Sequence, residues 1–98
     1  MRLVFHPEAY QEMVKSAGFY EERVEGLGAD FLAAVEEATT RIKQFPNAGQ
    51  ATSAGIRKRL VSGFPFTILY EMREDQCFIA AVMHQHRRPG YWEKRLRP

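Results

Sequence analysis

Gly26-Leu27-Gly28-Ala29-Asp30-Phe31-Leu32-Ala33-Ala34-Val35-Glu36-Glu37-Ala38-Thr39-Thr40-Arg41-Ile42-Lys43-Gln44-Phe45-Pro46 is the stretch whose periodicity decides the fold. Phe31, Val35, Ala38, Ile42 and Phe45 recur at steps of four, three, four and three, the period of one face of a helix. That helix stops before Pro46, because proline pushes the residue in front of it out of the helical region. Upstream, Tyr10, Met13, Val14, Ala17, Tyr20 and Val24 lie three or four residues apart in the same manner. They predict another amphipathic helix, which Gly18 weakens without ending. Only the turn Gly26-Leu27-Gly28 separates the two, so they are expected to form an antiparallel hairpin.

Outward from the hairpin, Arg2-Leu3-Val4-Phe5 reads as a first strand. His6 suits the N-cap of the following helix, Pro7 its first position and Glu8 its positive end. Residues 46–55 are small, polar and glycine-containing, and read as a loop. Three strand candidates follow at 56–61, 66–72 and 77–83, joined by Ser62-Gly63 and Glu74-Asp75. Connections this short make a meander. The last candidate is apolar on both faces and belongs at the centre of the sheet. Pro89-Gly90 stops it, and 91–97 reads as a short helix or an irregular tail. The order β-α-α-β-β-β predicts an α+β fold, an antiparallel-dominated sheet packed on a two-helix hairpin, in one domain spanning 1–98.

Hydrophobic residues make up 45% and charged residues 27%, a globular balance that argues against disorder. No apolar run has the length of a membrane span, and Met1–Pro7 lacks the apolar stretch of a signal peptide. The single cysteine, Cys77, has no internal disulfide partner, and no Cys/His spacing resembles a zinc site. These readings point to a cytoplasmic chain with no metal, no cofactor and no membrane contact. The net charge of +2 hides an asymmetry: residues 1–50 carry −3 and residues 51–98 carry +5. A basic half suits RNA, DNA or an acidic protein segment, and equally a solvated surface that keeps the chain soluble.

Alternation along the strands places Arg57, Arg59, Thr67 and Glu71 on the face away from the helices, since the more apolar sets should face them. The last strand runs into Met83-His84-Gln85-His86-Arg87-Arg88 and then Tyr91-Trp92. Basic and hydrogen-bonding groups are therefore expected on one side of the sheet and at its exit, where they suit phosphates and bases. For cleavage of RNA by its 2′-hydroxyl, Glu71 is the candidate base and His84 or His86 the acid. Arg59 and Arg87 would hold phosphate and stabilise developing charge, and Tyr91 would stack on or orient a base. Each also has a plainer reading: a strand-end histidine, a rim charge, an aromatic anchoring the tail.

Taken together, the helix hairpin, Phe45-Pro46-Asn47-Ala48-Gly49, Ile56-Arg57-Lys58-Arg59-Leu60-Val61, Phe64-Pro65-Phe66-Thr67-Ile68-Leu69-Tyr70 and Ala81-Val82-Met83-His84-Gln85-His86-Arg87-Arg88-Pro89-Gly90-Tyr91-Trp92 form an ordered pattern. It resembles the RelE/ParE superfamily of bacterial toxins from type II toxin–antitoxin modules, often labelled plasmid stabilisation proteins. The resemblance covers almost the whole chain. It implies a growth-inhibiting toxin neutralised by a cognate antitoxin, whose extended or helical C-terminal segment wraps it. Two mechanisms are implied. ParE-like members inhibit DNA gyrase, and RelE-like members cleave mRNA on the ribosome without a metal. Laying the RelE-type ending over 81–92 puts its functional tyrosine on Tyr91 and its functional arginine on Gln85. That departure favours the ParE-like reading, with the ribosome-dependent endoribonuclease as the alternative.

Overall fold

The computed structural model describes residues 1–52 and 55–97. The chain runs through β1 (Arg2–Phe5), α1 (Pro7–Arg23), α2 (Leu27–Gln44), β2 (Gln50–Ala51), β3 (Arg57–Leu60), β4 (Phe66–Arg73), β5 (Gln76–His84) and a 3₁₀ turn (Glu93–Leu96). The strands form one sheet in the order β1-β5-β4-β3-β2. All neighbours are antiparallel except β1, which lies parallel to β5. The hairpin and the meander agree with the sequence; the last long strand, expected at the centre, is an inner strand between β1 and β4, and β4 takes the central place. The expected loop at 46–55 carries the two-residue β2, and its Ser53 and Ala54 lie outside the described residues.

Local chemistry builds the hairpin as expected at its start. His6 caps α1 by accepting the Glu8 N–H on Nδ1 at 3.1 Å, and Pro7 is the first helical residue. Between the helices Gly26 takes a left-handed conformation, φ 87°. The Glu21 carboxylate accepts the N–H groups of Gly26 and Gly28, each at 2.9 Å, which serves as the cap of α2. Gly28 has no room for a side chain, because a Cβ there would stand 2.5 Å from the Ala17 carbonyl oxygen. That glycine sets how closely the two helices approach.

Phe31, Val35, Ala38 and Ile42 are buried as their spacing predicts, but Phe45 caps the helix and is exposed. The buried face of α1 is rotated from the expected one. Ala9 and Ala17 are buried and Met13 and Tyr20 pack on the core, whereas Tyr10, Val14 and Val24 are exposed. The helices cover one sheet face, where they meet Val61, Phe66, Ile68, Tyr70, Cys77, Ile79 and Val82.

The faces of β3 differ from the sequence reading. Arg57 stands opposite Tyr70 and Arg59 opposite Ile68, and directly opposed residues share a face. Arg57 and Arg59 therefore lie on the helix side, in phase with buried Val61. The register with β4 decides this, because four mixed residues carry too little alternation to choose a face. Thr67 and Glu71 do lie on the other face, but it is not open. Tyr91, Trp92 and Leu96 of the C-terminal segment pack there, with Met83, over Ile56, Leu69 and Ala81.

Candidate functional site

β1 ends at Phe5, opposite Ile79, so the remainder of β5 has helix α1 beside it instead of a strand. Here Glu12, Lys15, Ser16, Phe19 and Tyr20 of α1, one helical stripe, face Phe66, Val82, His84, Arg87 and Tyr91. Together they enclose an open groove of about 390 Å³. Its floor is apolar, made by Phe19, Tyr20, Phe66 and Val82, and Lys15 and Arg87 stand exposed at the rim.

Glu12 is the one carboxylate lining this groove, and it is fully engaged. It accepts the Val82 N–H at 3.1 Å, the Tyr91 hydroxyl at 2.6 Å, and Arg95 Nη1 and Nη2 at 2.9 and 3.0 Å. Arg95 also donates to the Ala80 carbonyl at 3.1 Å. Ala80 sits where the register between β4 and β5 shifts, Leu69 pairing Ala81 and Tyr70 pairing Ile79. Burial alone would lower the pKa of Arg95; the hydrogen bonds and charge of Glu12 more than offset it and raise it. Burial, then the Glu12 hydrogen bond and charge, push the Tyr91 hydroxyl far above its ordinary range. Through its hydroxyl, Tyr91 is thus a hydrogen-bond donor to the Glu12 carboxylate. Its ring is occupied as well, with the Arg87 guanidinium 4.0 Å and the Arg95 guanidinium 5.0 Å from the centroid.

Three of the six residues singled out from the sequence, His84, Arg87 and Tyr91, line the groove. His86 joins them, its ring 5.2 Å from that of His84 and its N–H given to His84 Nδ1 at 3.1 Å. Arg59 does not. It borders a different, smaller hollow of about 100 Å³ with Glu37 and Arg41 of α2. Glu71 does not either. It forms an ion pair with Arg73 and lines a third depression with His6, Phe78 and Arg97. The groove thus offers cations, imidazoles and an apolar floor, with no free carboxylate to act as a base. Among the described residues no group of three or more His, Cys, Asp and Glu could hold a metal ion.

The residues with the most contacts to the site's polar atoms, Glu12 and Arg95, were not singled out from the sequence. Glu12 belongs to the polar positions of an amphipathic helix, and its partner is 83 residues away. The only local signal is its place next to Met13, at the margin of the apolar stripe.

The family model described as the ParE toxin of type II toxin–antitoxin systems, ParDE, matches residues 3–89. The chain belongs to the ParE toxin family. Comparison with curated proteins finds no match. A solved structure, titled as the chromosomal ParDE toxin–antitoxin system from P. aeruginosa, shares the ParE-like fold with a TM-score of 0.62. The two are 16% identical, and the alignment covers 86% of this chain and 95% of that one. In this ParE-family chain the match ends two residues before Tyr91, so Glu12 lies within the matched region and Tyr91 and Arg95 beyond it. No helix among the described residues is long and apolar enough to cross a membrane.

Proposed function

We propose that this chain is the growth-inhibiting partner of a two-protein module, neutralised by a cognate antitoxin, and that it arrests growth by binding DNA gyrase rather than by cutting RNA. Membership of the ParE toxin family supports the first part. One observation carries the second: the candidate base Glu71 and the candidate phosphate-holding Arg59 lie away from the groove at which His84, His86 and Arg87 gather. Arg59 borders the hollow beside α2, Glu71 is paired with Arg73, and the Tyr91 hydroxyl is committed to Glu12. General acid–base catalysis needs its acid and base within hydrogen-bond reach of one reacting group. Binding needs only a shaped surface, and the α1/β5 groove supplies an apolar floor with Lys15 and Arg87 at its rim. Such a surface suits a protein segment that presents an apolar side chain beside an acidic one.

Induction of the chain without its partner tests this reading. The expected outcome is growth arrest with an SOS response and loss of plasmid supercoiling, intact mRNA, and relief when the antitoxin is co-expressed. Purified chain should inhibit the supercoiling reaction of gyrase directly. Cut mRNA and arrested translation with no SOS response would overturn it in favour of the endoribonuclease.

A further inference from the structure

The C-terminal segment that follows β5 has little regular structure, yet it supplies one wall of the groove through Arg87 and Tyr91. A buried centre at Glu12 and Arg95 is the main polar tie between this segment and the body; exposed Glu8 also pairs with Arg95 at 3.4 Å, and Arg73 donates to the Leu96 carbonyl at 3.4 Å. The Arg95 side chain is 9% exposed and that of Glu12 16%. The two make a forked, two-bond pair, the geometry in which guanidinium and carboxylate hold each other best. The same carboxylate takes the Tyr91 hydroxyl, and Tyr91 carries the Arg87 guanidinium on its ring. Meanwhile Val82 N–H and Ala80 C=O, edge groups of β5 beyond the end of β1, are satisfied by Glu12 and Arg95. Packing under the segment is modest: Tyr91, Trp92 and Leu96 are only partly buried over Ile56, Leu69 and Ala81. Apolar burial of that extent does not by itself define one position for an eight-residue tail, whereas a buried, fully hydrogen-bonded charge pair does.

We propose that Glu12 and Arg95 form a latch that builds the groove. By docking residues 90–97 on α1 and the edge of β5, it positions Tyr91 and, through the Tyr91 ring, the Arg87 guanidinium as the cationic wall. Glu12 and Arg95 are thus positioning residues; Glu12 and Arg87 lie within the region the family model matches, Tyr91 and Arg95 beyond it. The effect on growth arrest rests on the functional reading above; the docking of the segment does not.

Trp92 is the chain's single tryptophan and lies inside the latched segment, so its fluorescence reports docking directly. Arg95→Gln and Glu12→Gln in the full chain remove the charge pair, Arg95→Lys keeps the charge but loses the fork, and Tyr91→Phe keeps the pair but cuts the link to the wall. Where Glu12→Gln fails to fold, Arg95→Gln and Tyr91→Phe still decide. In Arg95→Gln, with circular dichroism of the helices unchanged, Trp92 should become open to iodide quenching, and Arg95→Lys should fall between it and the native chain. Tyr91→Phe should keep Trp92 protected. Growth-arrest potency should drop in Arg95→Gln and in Tyr91→Phe by roughly two- to thirtyfold, the span of coupling through packed side chains. Trp92 as protected in Arg95→Gln as in the native chain would overturn the latch. Released Trp92 with undiminished growth arrest would overturn its role in positioning the wall. A native chain that leaves growth untouched would overturn the functional reading, and the latch would then stand or fall on quenching alone.

Discussion

The two faces of the sheet are covered by different means. On one face α1 and α2 bury Phe31, Val35, Ile42, Ile68, Tyr70 and Ile79, all fully or almost fully removed from water. On the other, an irregular tail lays Tyr91, Trp92 and Leu96 over three buried side chains and is fastened by Glu12 and Arg95. The first cover is held by apolar area, which is non-directional and roughly additive over many residues. The second is held by a few directional bonds. Stability therefore resides mainly in the helix-covered face. The tail-covered face contributes the shape of the groove, and a handful of atoms can change it.

The sharpest way to break this comparison is to damage each cover in turn. Ile79→Ala, in the helix-covered core, should cost about 2–5 kcal/mol, the range for large-to-small core changes. Trp92→Ala should cost less, since Trp92 is only partly buried. Urea unfolding with circular dichroism of the helices checks both, and equal losses would refute the division. Next in size is the closeness of the helix pair. Gly28→Ala forces a methyl against the Ala17 carbonyl and should cost about 1–3 kcal/mol, as overpacking does. A neutral result would show that the hairpin can spread without loss.

Alkaline titration separates the faces by chemistry. Burial pushes the Cys77 thiol, on the helix-covered face, up to about 11. A raised pKa in an acid that ionises to an anion means that the folded state binds the proton more tightly. Its contribution to stability is therefore complete below the ordinary thiol range and is lost as pH rises towards 11. Tyr91, on the tail-covered face, is raised for a different mix of reasons and has the same sign, at higher pH. Melting temperature should fall above pH 9 or so, and Cys77 should resist thiol reagents at pH 8 or so until the chain unfolds. Ready modification of the folded chain would show that the helix cover opens locally.

The smallest effect is expected from Arg59→Ala. Arg59 borders the hollow beside α2 and not the groove, so growth arrest should be unchanged and stability should shift by no more than about 0.5 kcal/mol. A loss of about 10²–10³ in activity, the scale for removing a charge-stabilising donor, would return Arg59 to a catalytic role and revive RNA cleavage.

Read alone, the sequence determined whatever depends on near neighbours. The spacing of Phe31, Val35, Ala38 and Ile42 announces α2, Pro7 after His6 announces the start of α1, and the short turns announce the meander. It also carried the family pattern and brought His84, His86, Arg87 and Tyr91 to attention together, because they follow one another at the end of one strand. Three things were decided only in the tertiary structure. The side of the sheet taken by Arg57 and Arg59 follows from pairing with Tyr70 and Ile68, not from alternation within four residues. The turn of α1 that buries Ala9 and Ala17 and leaves Tyr10 and Val14 exposed belongs to the way α1 packs on both α2 and the sheet. The groove follows from β1 ending at Phe5 and from a carboxylate at Glu12 meeting a guanidinium 83 residues later. Local patterns record which side chains can share a helix or strand face. A charge pair between distant segments leaves no period in the sequence, since its partners meet only after the sheet has assembled.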